Sequence, residues 1–314
     1  MAPKVIVITG PTASGKTSLS IEIAKRLNGE IVSADSMQIY KGMNIGTAKA
    51  TAQEKAQVPH HMLDVAEPYE DYSVARYVED ARKCCNDIIA RGKIPVICGG
   101  TGLYIDSLLS GRDFAEKQDT DEGLRQELMD EYDEIGGEAM LAKLREIDPE
   151  RAEKLVFGDK RRIVRALEVY MLTGITITEH DRRTKALPKA YDAAYIVLNF
   201  KDRAELYRRI DQRVNIMVSQ GLYREVQGLM ELDLPECCTA MQAIGYKEPA
   251  AALRGEISKQ EAEELIKQSS RRYAKRQLTW FRKNPDAHWI NWDAEPDFEA
   301  GLQDALDYIQ DLWK

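Results

Sequence analysis

No apolar run in this 314-residue chain approaches the roughly 20 residues that span a bilayer, which excludes a transmembrane helix. A secretory leader is not expected either. MAPKVIVITGP passes within a few residues into a motif-bearing strand, with no room for an apolar core and cleavage site, so the cytoplasm is the expected location. Cysteine is scarce: Cys84, Cys85, Cys98, Cys237 and Cys238 form two adjacent pairs and a single, without the C-x-x-C spacing of a zinc site. Reduced, partly buried thiols are the expectation. His60 and His61 lack the one-turn spacing of helical metal ligands and read as structural or substrate-shaping residues. Excess positive charge is missing too, since the net charge is −8, which argues against a protein that coats nucleic acid. There is no repeat and no low-complexity segment.

What is present is a soluble-protein composition, 44% hydrophobic and 31% charged, in a chain long enough for one large domain or two ordinary ones. KVIVITG is a β-branched apolar run that leads through a loop into TSLSIEIAKRL, whose apolar residues repeat at helical spacing. EIVSAD (30–35) and KIPVICGGTG (93–102) read as further strands, and SVARYVEDARKCCNDIIARG between them as an amphipathic helix. This alternation predicts an α/β fold, a P-loop NTPase-like parallel sheet flanked by helices, with ligands gathered at the C-terminal strand ends. From 113 to 190 strand patterns disappear and charged helical segments take over, which predicts a smaller helical insertion domain. AYIVLNF (194–200) restores the buried-strand signature, so 1–112 and 191–314 form the core. A last strand is expected at HWINW.

ITGPTASGKTSLS (8–20) carries the phosphate-loop pattern at Gly10, Gly15, Lys16 and Thr17. The loop Gly10, Pro11, Thr12, Ala13, Ser14 and Gly15, with Lys16, cradles phosphates through its free amides and the lysine, and the Thr17 hydroxyl faces magnesium. A hydrolase of this class normally has an apolar strand ending in aspartate. Here IPVICGGTG ends in glycines, which weakens that reading. Asp35 ends the strand after the first helix, where a carboxylate is useful as a proton acceptor near bound phosphate, although turn aspartates are common. Gly99 to Gly102 offer backbone amides and the Thr101 hydroxyl at the same edge. Two clusters are basic: RRIVR (161–165), and SSRRYAKRQLTWFRK (269–283), where arginines mixed with aromatics suit RNA phosphates and unstacked bases. Leu278, Trp280 and Phe281 read there as a buried stripe.

With GPTASGKT, SADSMQIYKGMNIGTAK, VPHHMLD, GGTGLYI, RRIVRALEV, TAMQAIGYKE and SSRRYAKRQLTWFRK in order over essentially the whole chain, the sequence resembles the tRNA dimethylallyltransferases (tRNA isopentenyltransferases) of bacterial type. It lacks the cysteine and histidine ligands of the zinc finger that eukaryotic members often add. The resemblance implies transfer of a dimethylallyl group from dimethylallyl diphosphate to N6 of the adenosine 3′-adjacent to the anticodon, in tRNAs reading codons that begin with U, with release of diphosphate. It implies that the loop 10–17 holds the diphosphate and that Mg2+ binds near Thr17. Asp35 would orient the amine and accept its proton, while Lys16, Thr101 and Arg213 stabilise the leaving group; Arg209, one turn from Arg213, is the other candidate. The base would meet Asp35, Ser36, Met37, Gln38 and Thr101. The anticodon stem-loop would meet Arg161, Arg162, Ile163, Val164 and Arg165 of the insertion domain, then Gln242, Ala243, Ile244, Gly245, Tyr246 and Lys247, and finally Arg271, Arg272, Tyr273, Ala274, Lys275, Arg276, Gln277 and Leu278. A monomer is expected, there being no sign of an oligomer interface. An adenine-nucleotide isopentenyltransferase, a P-loop kinase and a nucleotide-gated RNA-binding protein share parts of this pattern.

Overall fold

A computed structural model describes residues 2–111, 121–232, 234–235 and 238–314; Cys237 and the start of the expected insertion at 113 lie outside the described residues. The chain divides into two compact units, one of Met1–Leu109 with Ala190–Lys314, the other Ser110–Lys189.

The first unit runs β1 (Lys4–Thr9), α1 (Lys16–Arg26), β2 (Gly29–Ser33), α2 (Ala52–Lys55), β3 (His60–His61), α3 (Val74–Ala90), β4 (Ile94–Gly99) and α4 (Gly102–Leu109). The second holds α5 (Glu122–Ile135), α6 (Gly137–Ile147), α7 (Pro149–Ala152), α8 (Lys160–Thr173) and α9 (Ile177–Ala186). The chain then returns to the first through β5 (Asp192–Phe200), α10 (Arg203–Ser219), α11 (Leu222–Met230), α12 (Lys247–Leu253), α13 (Lys259–Phe281), β6 (His288–Trp292) and α14 (Phe298–Leu312).

Among the described residues the sheet is six-stranded and parallel, in the order β3-β2-β4-β1-β5-β6. β1 sits between β4 and β5 and is buried from Val5 to Ile8, as its unbroken apolar run requires of a strand covered on both faces. Its register with β5 sets Ile8 against Ile196 and Thr9 against Val197. α3 begins where the Ser73 hydroxyl accepts from the Arg76 amide, and it buries Tyr77, Val78, Ala81, Cys85 and Ile88, one stripe at helical spacing.

The short β3 is absent from the sequence pattern. Its His61 Nε2 lies 2.7 Å from the Glu30 carboxylate, and the His60 Nδ1 2.8 Å from the Val58 carbonyl. The Arg91 guanidinium holds the Glu30 carboxyl well below the usual carboxylate range, helped by Lys93 and His61 and opposed by burial. Among the described residues no group of three or more His, Cys, Asp or Glu side chains could hold a metal, and no helix is long and apolar enough to cross a membrane.

The second unit is helical throughout its described residues. Leu128, Met140, Leu144, Ile163, Val164 and Leu167 form its core, and the fully buried Glu168 takes ion pairs from Arg125 and Arg165. Removing either arginine leaves a buried carboxylate short of a partner.

At the end of β4 a Cβ on Gly99 would stand 2.2 Å from the Ala34 carbonyl oxygen, a backbone atom with no freedom to swing away. Gly99→Ala therefore has to part the ends of β2 and β4, and should cost about 1–3 kcal/mol of stability. Urea unfolding should show a lower midpoint at unchanged m-value; an unshifted midpoint would mean that the strand ends separate without cost.

Candidate active site

Loop 10–17 connects β1 to α1. Gly10 (φ 146°) lies so close to β5 that a Cβ there would meet the Leu198 carbonyl oxygen at 2.3 Å, and Gly15 (φ 91°) takes the left-handed turn that aims the helix start into the cleft. The Lys16 ammonium donates to the carbonyls of Gly10 (3.1 Å) and Pro11 (2.8 Å) and spans the loop's mouth. The Trp292 indole N–H, from β6, donates to the Ser14 carbonyl at 3.0 Å. Gln277 Oε1, from α13, accepts from the Thr12 amide at 3.1 Å. A helix N-terminus, convergent amides and a lysine together define an anion site.

That loop forms one wall of a cleft of about 1030 Å³. Lys16, Thr17, Asp35 and Arg213 all line it. Burial brings the Lys16 ammonium down from the ordinary lysine range to about 8; Arg213 adds to the shift, while Cys98 and Asp35 oppose it. Burial likewise holds the Arg213 guanidinium below its usual range, against the stabilising charges of Asp35 and Glu54. Two partly desolvated cations beside one acid favour a ligand that arrives with negative charge.

Of the two candidate arginines, Arg213 lines the cleft, whereas the Arg209 guanidinium lies 5.2 Å from the centre of the Phe200 ring. Asp35 serves a turn as well, its Oδ1 accepting from the amides of Met37 (2.9 Å) and Gln38 (3.4 Å), which leaves Oδ2 as the oxygen available to a ligand. The Thr101 hydroxyl accepts from the Ser36 amide at 3.0 Å and ties two strand-end loops together, and it is not part of the cleft lining. Gln38 is fixed by the carbonyls of Thr47 and Ala48.

The rest of the lining comes from residues between 44 and 55, from 242–245 and from α13 through Tyr273, Arg276 and Gln277. One residue that sequence reasoning missed organises it. The Glu225 carboxylate accepts from the amides of Asn44, Ile45 and Gly46 and from the Tyr246 hydroxyl, at 2.7–3.1 Å. On α11 it reads as an ordinary exposed acid, and only its long-range amide partners distinguish it.

Several expected RNA contacts need correction. Ile163 and Val164 fill the insert's core, and Tyr246, Ala274 and Leu278 are buried, so these side chains are not offered to a ligand. Gln277 is buried and turned toward the phosphate loop. Arg165 pairs with Glu168, and Arg271 with Asp211 at 2.6 Å. Arg161, Arg162, Lys247, Arg272, Lys275 and Arg276 are exposed. Trp280 is half-buried rather than part of the Leu278 and Phe281 stripe: its indole N–H donates to Asp106 at 2.7 Å and the ring covers Gly102, where a Cβ would come within 2.3 Å of it.

Fold and loop together define a P-loop-type α/β protein, with its phosphate-loop motif at the end of β1. A family model described as IPP transferase matches residues 38–284, and one described as isopentenyl transferase matches residues 3–65. The chain belongs to the IPP transferase family. It is 48% identical over 289 residues, 92% of each chain, to the tRNA dimethylallyltransferase of Acetivibrio thermocellus. Among solved structures it is similar to the full-length tRNA isopentenylpyrophosphate transferase of Bacillus halodurans, with TM-score 0.74 and 39% identity over 98% of this chain and 96% of that one. It is also similar to a eukaryotic dimethylallyltransferase acting on tRNA, with TM-score 0.82 and 29% identity over 99% of this chain and 80% of that one.

The lowered Lys16 gives a measurable sign. A bound diphosphate favours the ammonium form, so its pKa rises on binding and a proton is taken up when the solution pH is near or above about 8. Calorimetric titration with inorganic pyrophosphate at pH 8, in two buffers of different ionisation enthalpy, should show uptake of roughly half a proton more for the wild type than for Lys16→Met. Equal proton counts would place the anion elsewhere than at Lys16.

Proposed function

We propose that this protein transfers the dimethylallyl group of dimethylallyl diphosphate to N6 of the tRNA adenosine 3′-adjacent to the anticodon, in tRNAs reading codons that begin with U. The observation that supports this most directly is the single cleft in which Lys16, Arg213 and the Asp35 carboxylate converge, with the exposed basic stretch of α13 at its edge. The likeness in sequence to tRNA dimethylallyltransferases over nearly the full chain favours it over a nucleotide prenyltransferase or a kinase.

As N6 forms its bond to the allylic carbon, the bond from that carbon to the diphosphate oxygen breaks and the electron pair leaves with pyrophosphate. Lys16, Arg213 and the loop amides neutralise the charge that gathers there, which is stabilisation of a leaving group by fixed donors. Asp35 Oδ2 orients the amine and takes its proton. Thr101 keeps Ser36 and the turn at Asp35 in register. The Thr17 hydroxyl lines the cleft next to Lys16 in the phosphate-loop position that suits magnesium. Thr17 would hold it, and the ion supplies further charge neutralisation on the diphosphate. Reaching the base requires it to leave its stack, and the walls at 35–38 and 242–245 receive it. Arg272, Lys275 and Arg276 of α13, Lys247, and Arg161 and Arg162 of the helical insertion domain contact the RNA backbone. The enzyme works as a monomer in the cytoplasm.

Asp35→Asn keeps the shape of the carboxylate while removing the proton acceptor. Steady-state prenylation should lose roughly 10²- to 10⁴-fold in kcat with little change in KM for tRNA; a near-normal kcat with a raised KM would restrict Asp35 to binding. For the RNA surface, Arg272→Ala and Arg276→Ala should each weaken tRNA binding and reduce the log-log salt slope by about 0.7 to 0.9. Wild-type slope and affinity in both variants would make that face of α13 a solvated one.

A further inference from the structure

Gln277 sits on α13 among residues expected to meet RNA, yet its side chain is 5% exposed and both ends are spent inside the protein. Oε1 accepts from the Thr12 amide at 3.1 Å, and Nε2 donates to the Gly100 carbonyl at 2.9 Å. The fit is tight: a Cβ on Gly100 would come within 2.3 Å of Nε2. Tyr273, one turn earlier on α13, places its hydroxyl against Gln277 and Thr101. The carboxamide is thus a built cross-brace between the phosphate loop and the loop after β4.

What it occupies matters. In a phosphate loop the lysine reaches the outer phosphates and the amides around it receive their oxygens. Lys16 bonds the carbonyls of Gly10 and Pro11, so the neighbouring Thr12 amide lies at the outer end of the loop. That amide already has an acceptor in Gln277 Oε1. An amide that is taken cannot be offered to a ligand without leaving the buried Gln277 Oε1 unpaired.

We propose that Gln277 sets the length of the phosphate chain this loop accepts: by holding the Thr12 amide it closes the outer end, so a diphosphate ester fits and a triphosphate is rejected. This rests on the reading of the loop as the site of the prenyl diphosphate. Gln277 acts through the loop and is a positioning residue.

The test is competition in the prenyl transfer assay, with an anticodon stem-loop as acceptor and inorganic pyrophosphate and tripolyphosphate as inhibitors of dimethylallyl diphosphate. Wild-type protein should be inhibited far better by pyrophosphate than by tripolyphosphate. Gln277→Met fills the same volume without a polar atom, and Gln277→Ala also opens the space. In either, the ratio of the two inhibition constants should shift about tenfold toward tripolyphosphate, the effect of releasing one hydrogen-bond donor to a charged ligand. A merely structural role would weaken both inhibitors alike and leave the ratio where it was. An unchanged ratio in a folded Gln277→Met overturns the proposal alone. Wild-type protein that transfers no dimethylallyl group would instead remove the donor reading on which it rests.

Discussion

A phosphate loop works only while its amides stay convergent and its lysine stays dry enough to value an anion. Most of the first unit is arranged around that constraint. β1 delivers the loop from the middle of a sheet buried on both faces, so the strand end has little room to move. Gly10 presses the turn against Leu198, the Trp292 indole pins the Ser14 carbonyl from β6, and Gln277 holds Thr12 from α13. Three elements far apart in sequence therefore fix one eight-residue turn. The same enclosure brings the Lys16 ammonium down to about 8, so the lysine is held in an environment that an arriving anion improves.

α13 serves two sides at once. Its inner face gives Ala274, Gln277, Leu278 and Phe281 to the interior, while Arg272, Lys275 and Arg276 point outward and, with Thr279, Trp280 and Lys283, line a shallow groove of about 440 Å³. Trp280 belongs to both, its edge held by Asp106 and the Lys283 ammonium lying 4.8 Å from its ring centre. A net charge of −8 is compatible with holding RNA because the positive charge is concentrated here.

How much of this was legible in the sequence depends on the range of the interaction. KVIVIT, IPVICG and the run at 192–200 are apolar enough to be read as buried parallel strands, and the stripe of α3 declares its helix. The glycines and lysine of the loop carry their chemistry in their spacing. β3 escaped because two residues show no period. The roles of Gln277, Glu225 and Trp292 escaped for another reason: each is a single polar-tipped side chain on an otherwise ordinary element, and its partner lies well over a hundred residues away. Basic segments mislead in a similar way, because charge along a sequence does not say which side chains turn inward. Arg271 and Arg165 are spent on Asp211 and Glu168.

The dependence of residues 44–46 on Glu225 has a consequence for how the molecule comes into being. That wall of the cleft has no regular secondary structure at the point where it is held, and its amides find their acceptor across 179 to 181 residues of chain. During synthesis the strands β1, β2 and β4 can emerge and pair early, but the wall has nothing to close on until α11 leaves the ribosome. At about 5–20 residues per second, roughly 6 to 25 seconds separate the two events. The nascent phosphate loop thus spends that interval beside an open, unfinished cleft, and the competence to bind arrives only with the second half of the chain.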